Sequence, residues 1–238
     1  AAGEASAYPD ANMVLTFDAP PSLISTGLIR IYKSSDDSKV DEIKLTNEIN
    51  WLGVNWASQY RGINATMVEV SGSNVVITPH NGILQYGTQY YVQISNGTIT
   101  GTIGGVTFDG LCKAAGWTFT TKTAPTGATV SVDDEGTADF RTVQGALNHF
   151  MKNQTSGGTI NVQDGTYEEA LFLRNIPNVN IIGQSQTGTI IQYENYETLN
   201  VGSGGSAASV STTAGGGRSL FMVESCDLLT LETITLKS

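Results

Sequence analysis

The sequence is short of charge, of base and of the residues that most often build reactive centres. Of 238 residues only 14% are Asp, Glu, Lys or Arg, and Lys and Arg number 12 against 22 acids, a formal net charge of −10. No basic run occurs, which argues against a nucleic-acid partner, because phosphate binding needs clustered cations. An anionic ligand would have to be met by a few placed cations rather than by a general field. There are two histidines, so a His-rich metal site or a Ser-His-Asp triad is hard to assemble. His80 falls in the turn TPHNG, and His149 in ALNHF on a predicted helix, where a structural role is expected. The two cysteines, Cys112 and Cys226, fall in different predicted domains and read as buried free thiols rather than a disulfide. No run of about 18 apolar residues exists, so no membrane-spanning helix is expected.

What is present is glycine (27 residues), small polar residues and a hydrophobic share of 39%. That balance, with few strong helix formers, points to a turn-rich, all-β protein. The opening AAGEASAYPD has neither a charged n-region nor an apolar h-region, and reads either as the mature end left after a signal peptide or as an artificial start. A secreted, extracellular or periplasmic location follows as an expectation.

The chain up to about Lys122 alternates short apolar runs with turns. In MVLTFDAPP, Met13, Leu15 and Phe17 alternate with Val14 and Thr16; in GLIRIYKS, Ile29 and Ile31 oppose Leu28 and Arg30. NVVITPHNGILQYGTQYYVQIS reads as two strands about a turn, and GWTFTTK as a closing strand. Strands at this spacing suggest a small β-sandwich. The YxV strand and the W-x-F-T-T ending resemble bacterial Ig-like domains, which implies an Ig-like β-sandwich over residues 1–122. Trp51 and Trp56, in NWLGVNW, are candidates for stacking on sugars but read more readily as core. TAPTGA, residues 123–128, combines Pro, Gly and small polar residues and marks a linker.

Residues 129–238 carry a different pattern. Val143, Ala146, Leu147, Phe150 and Met151 form one stripe of a helix, with Asp139 or Thr142 as N-cap and Gly157–Gly158 ending the connection. Short apolar runs then recur at TINV (159–162), ALFL (170–173), VNIIG (179–183), TIIQY (189–193), SLFMVES (219–225) and LLTLETITLKS (228–238). Recurring short strands with polar turns and no helices among them suggest a stacked solenoid, and the helix before the first strand suits the lid such a stack needs. GSGGSAASVSTTAGGGR, residues 202–218, reads as a surface excursion, since its weak Gly-x-Gly pattern has no strand–turn–helix context.

Within this second part, DDEGTADFRTVQGAL, with Asp139, Phe140 and Gln144, is followed by Gly165, Tyr167 and Glu169 in the pattern G-x-Y-x-E. Ile182-Gly183 and a T-x-I strand at Thr189 and Ile191 follow in order. This succession resembles the opening of the pectin methylesterase family. The resemblance implies a right-handed parallel β-helix with an N-terminal capping helix, occupying residues 129–238. It implies hydrolysis of methyl esters on homogalacturonan by an aspartate nucleophile and a second aspartate acid/base, with no cofactor and no metal. Gly165, Tyr167, Glu169, Asp139 and Phe140 would be structural members of the signature. Ser219 would contact substrate by position, and Arg218 could meet galacturonate carboxylates.

The chain departs from the family where the chemistry should be. The catalytic Gln and Asp motifs (resembling Q-A-x-A, Q-D-T-L and D-F-I-F/W-G) have no counterpart. After Gly183 the sole aspartate is Asp227, in SCDLLTLE, and Gln184, Gln186 and Gln192 stand in other contexts. The expectation is an N-terminal portion whose catalytic residues lie beyond residue 238, inactive alone and completed by the missing C-terminal portion. The alternative is a non-enzymatic carbohydrate-binding or adhesion protein of Ig-like and solenoid modules. A pectate lyase would want calcium-binding aspartate clusters, and a polygalacturonase aspartates on later coils; neither is visible. Glu168 and Glu169 in QDGTYEEALF are adjacent on a predicted strand, so their side chains should diverge and cannot flank one scissile bond.

Overall fold

The computed structural model describes residues 3–53, 61–195, 199–200 and 219–238. The excursion 202–218 with Arg218, and also Trp56, lie outside them. Two compact units divide the chain: Ala1–Glu48 with Ala65–Ala124, and Ile49–Asn64 with Pro125–Ser238. Residues 49–64 therefore depart from the single division expected at 123–128. Neither end of that stretch carries the Pro or Gly break by which composition marks a boundary.

In the first unit a five-stranded sheet has the spatial order Glu4–Ala7, Thr118–Thr121, Gln89–Ile94, Leu28–Lys33, Lys39–Lys44. All its pairings are antiparallel except the first, which is parallel. A three-stranded antiparallel sheet joins Met13–Thr16, Asn74–Ile77 and Val68–Ser71. Both sheets feed one apolar cluster, with Ile29, Ile31, Ile43, Tyr90, Val92 and Phe119 from the first and Val68, Val75 and Ile77 from the second. The alternation in GLIRIYKS is visible in the burial: Ile29 and Ile31 are fully buried, while Arg30 turns outward to Glu42 at 2.8 Å.

From Pro125 onward the second unit is built from parallel strands in three sheets, visited in rotation. The first sheet stacks Thr129–Val132, Gly158–Val162, Asn178–Gly183 and Leu228–Glu232. The second stacks Gly165–Glu168, Thr189–Gln192 and Thr235–Lys237, and the third Leu171–Arg174 and Phe221–Glu224. Each of the two complete circuits thus lays one strand on each sheet, and equivalent side chains align in register. Val130, Ile160, Ile181 and Leu231 form one such column, and Tyr167, Ile191 and Leu236 another. Burial is complete at Ile160, Ile181 and Ile191 but falls away in the last circuit, where Leu231 is 39% and Leu236 40% exposed. The final run LLTLETITLKS is two strands rather than one, because Thr233 turns the chain with φ 51° and its hydroxyl bonds Gly183 O.

The helix Val143–Asn153 lies against the start of the stack. Thr142, not Asp139, is its N-cap, with Oγ1 accepting from Gly145 N at 2.9 Å. The predicted stripe of Val143, Ala146, Leu147, Phe150 and Met151 is at most 1% exposed, and burial of such side chains is worth about 1.5–3 kcal/mol each for the larger ones. Gln144, Asn148 and His149 are buried as well, which the amphipathic pattern does not foresee. Gln144 explains its burial by its bonds. Its Nε2 donates to Phe172 O at 3.1 Å and to Asn148 Oδ1 at 2.9 Å, and its Oε1 accepts from Phe172 N at 2.7 Å. The side-chain amide therefore stands where a neighbouring strand's peptide would, on the open edge of the first circuit. At Gly157 (φ +83°) a Cβ would collide with Asn178 O, so glycine is required where the chain leaves the helix for the stack.

The two cysteines are free, as expected, but not buried: Cys112 is exposed and Cys226 half-buried, its thiol turned to Pro177 O and Leu228 O. Replacing Gln144 by Leu keeps the volume and strands the Phe172 peptide. Chemical denaturation of the full chain should then show a loss of about 2 kcal/mol, the cost of an unsatisfied buried peptide pair. A loss below about 0.5 kcal/mol would contradict the edge-capping role.

Candidate functional site

The signature residues occupy one end of the second unit, and each is bonded there. Glu169 follows the strand Gly165–Glu168 and reaches the helix: Oε1 accepts from Val143 N and Oε2 from Gln144 N, both at 2.8 Å. These are N–H groups of the first turn, which have no intrahelical acceptor, and the positive end of the helix dipole favours an anion there. Glu168 turns elsewhere, is exposed, and accepts from Gln192 Nε2. The adjacent glutamates are thus spent on different partners, and no acid/base pair forms between them.

Asp139 closes a local loop rather than capping the helix. Its Oδ2 accepts from Ser131 N and from Ser131 Oγ, both at 2.9 Å, while its own N–H returns to Ser131 O at 3.1 Å. The loop folds Phe140 back beside Val132 as an isolated parallel bridge, and the Phe140 ring is fully buried with its centroid 5.5 Å from that of His149. Tyr167 is 3% exposed and its hydroxyl donates to Gln163 O at 3.0 Å. Burial, aided by the negative charges of Asp134 and Asp133, holds this phenol far above its ordinary range, so it stays protonated and cannot act as a base. At Gly165 a Cβ would stand 2.6 Å from Asp134 Oδ1, so only glycine lets that carboxylate lie against the strand.

Neighbouring carboxylates are committed to turns. Asp164 accepts from Ser185 Oγ at 2.8 Å and from Thr189 Oγ1 at 2.9 Å, tying two circuits together. Asp133 accepts from Gly136 N at 2.7 Å and Glu135 N at 3.0 Å, and these N–H groups hold its carboxyl below the usual range. Among the described residues no group of three or more His, Cys, Asp or Glu is placed to hold a metal ion. The arrangement immobilises a helix on a coil; nucleophile and acid are not assembled from these residues.

Ser219, the candidate substrate contact, is half-buried where the chain enters the third sheet. Its carbonyl oxygen accepts from Asn195 Nδ2 at 3.1 Å and from Arg61. Arg218, its proposed companion, lies outside the described residues. Trp51 is half-buried in the strand Glu48–Leu52.

Two clusters escape sequence reasoning. Arg61, at the head of the strand Arg61–Ala65, is 1% exposed, and burial lowers its pKa to about 10. Nothing in RGINA distinguishes it from a surface arginine. The other is in the first unit, where His80 N donates to Asp41 Oδ2 at 3.0 Å and His80 Nδ1 lies 2.7 Å from Asp41 Oδ1. Glu48 Oε2 is 3.9 Å from the other ring nitrogen and also accepts from Lys44 N at 2.6 Å. The bond to Asp41 raises the His80 pKa against the opposing effect of burial, while burial lowers that of His149.

These opposite shifts give opposite linkage. The His80 contribution is fully present below about pH 6.5 and fades as pH rises through its raised folded value. Buried neutral His149 costs stability as pH falls below about 6.5, because the unfolded imidazole takes up the proton. With only two histidines in the chain, an NMR titration should resolve one midpoint above and one below 6.5, and His80→Gln should remove the upper one. Two midpoints on the same side would contradict the geometry.

No family model matches the chain, and no curated protein matches it. Among solved structures, catalytic domains of a GH87 α-1,3-glucanase variant align with a TM-score of 0.22. The complex with tetrasaccharides is 16% identical and the complex with nigerose 17% identical, each over 82% of this chain. The chain spans 36% of the length of those solved chains, and a likeness at that score supports no inference about fold or chemistry.

Proposed function

We propose that the second unit is the opening of a parallel β-helix of the pectin methylesterase kind, preceded by an Ig-like β-sandwich. The parent activity is hydrolysis of methyl esters of homogalacturonan in an extracellular setting. The observation that carries this reading is the convergence of the motif residues on one bonded assembly. Asp139 and Phe140 fold the entry loop, Glu169 holds the helix N-terminus, and Gln144 caps the strand edge at Phe172. Motif positions separated by up to 30 residues in sequence thus answer to one physical task, and that convergence supports the reading.

In this reading the reacting aspartates and glutamines belong to further coils stacked on the last circuit. Residues 1–238 supply the sealed end, the register and the entry to the third sheet near Ser219. The chemistry needs no metal: a carboxylate nucleophile, a partner acid of raised pKa and amide donors at the developing oxyanion suffice.

The test compares methanol release from highly methylated homogalacturonan by residues 1–238 and by the native gene product. Release by the native product alone supports the proposal. Methanol from residues 1–238 would place the chemistry within them and overturn the assignment. A native product that binds pectin without releasing methanol would favour the carbohydrate-binding alternative.

A further inference from the structure

Arg61 is the least expected buried side chain of the second unit. Its Nη1 donates to Leu171 O and to Leu220 O, both at 2.9 Å, and its Nη2 to Asn200 Oδ1 at 3.4 Å and to Ser219 O. All these acceptors are neutral, and among the described residues no carboxylate pairs with it. Burying a guanidinium without a counter-ion is costly, so the bonds it makes must be specific and well satisfied.

The acceptors are not scattered. Leu171 heads one strand of the third sheet and Leu220 comes just before the next, Phe221–Glu224; Leu171 N already donates to Leu220 O at 2.8 Å. Asn200 and Ser219 stand on either side of residues 201–218 in the sequence. Asn195 ties them further, with Nδ2 on Ser219 O at 3.1 Å and its Oδ1 accepting from Asn200 Nδ2 at 2.6 Å. Ile63 adds an antiparallel bridge to Asn200, and Leu52 and Ile63 pack with Ala170 and Phe172. Arg61, with Leu52 and Ile63, therefore brings both a forked cation and an apolar patch to one place on the coil.

We propose that Leu52, Arg61 and Ile63 are a built-in partner of the coiled unit, and that the Arg61 fork holds Asn200 to Ser219 and Leu220. The strand pairing of the coils alone does not set this juxtaposition, because Asn195 and Asn200 lie outside the paired strands. Arg61 thereby fixes where Ser219 and the strand Phe221–Glu224 enter the third sheet. It is a positioning residue, and the proposal holds whether or not the esterase reading does.

Limited trypsin digestion of the full chain tests it, with the Arg218–Ser219 bond as reporter and cleavage after Arg30 and Arg141 as internal controls. Arg61→Met, which keeps length and removes the fork without adding a cleavage site, should speed cutting at Arg218–Ser219 at least tenfold and leave the controls unchanged. Asn200→Ala, which leaves Arg61 in place, should raise the same cut by a smaller factor. Equal acceleration at all sites would make Arg61 a general stability residue and overturn the proposal. So would a cutting rate at Arg218–Ser219 unchanged in Arg61→Met.

Discussion

The Glu169 carboxylate spans the first two free N–H groups of the only α-helix among the described residues, and the coiled unit depends on that contact. A stack of parallel strands pairs each circuit with the next but leaves its first circuit with an open edge and an uncovered apolar column. The helix supplies the apolar cover through Val143, Leu147, Phe150 and Met151. It has its own end to satisfy, and a carboxylate in the turn after the first coil's second strand does so. Gln144, the next helical residue, then completes the backbone of Phe172. Floor and first rung are thus joined by polar bonds at the one place where strand pairing cannot act.

From that floor the remaining circuits follow by register. Ile160 sets Ile181 above it and Ile181 sets Leu231, so each buried column continues the last. Turn residues keep the circuits in step, Asp164 holding Ser185 and Thr189 of the next turn. The gradient from complete burial at Ile181 to 39% exposure at Leu231 is what a one-dimensional stack produces, since each rung is covered only by its neighbours. The tyrosine and glutamates of QDGTYEEALF take their meaning from this frame: one acid binds a helix, the other faces solvent, and the phenol is locked in the column.

Much of this was legible in the sequence because it depends on local patterns. Alternation in GLIRIYKS gave the buried pair Ile29 and Ile31, and the helical stripe gave Val143 through Met151. The recurrence of short apolar runs between polar turns marked the parallel strands. What stayed hidden was set by partners distant in sequence. Thr142 rather than Asp139 caps the helix because Asp139 is claimed by Ser131, eight residues back. Gln144 is buried because of Phe172, and Arg61 because of carbonyls more than a hundred residues away. Backbone acceptors leave no mark in side-chain composition, so neither the Arg61 fork nor the membership of residues 49–64 could be read from residue types. The turn at Thr233 was likewise masked, because a β-branched residue rarely takes a positive φ.

The contact between Glu169 and the helix is open to direct measurement by amide hydrogen exchange, residue by residue, in the full chain and in Glu169→Gln. Val143 and Gln144 should lose protection at least tenfold in the variant, with Phe172 following as the Gln144 cap loosens, while amides of the first-unit strands keep theirs. Unchanged protection at Val143 and Gln144 would mean that the helix is held by apolar packing alone, and would contradict the claim that the signature carboxylate seals the coil.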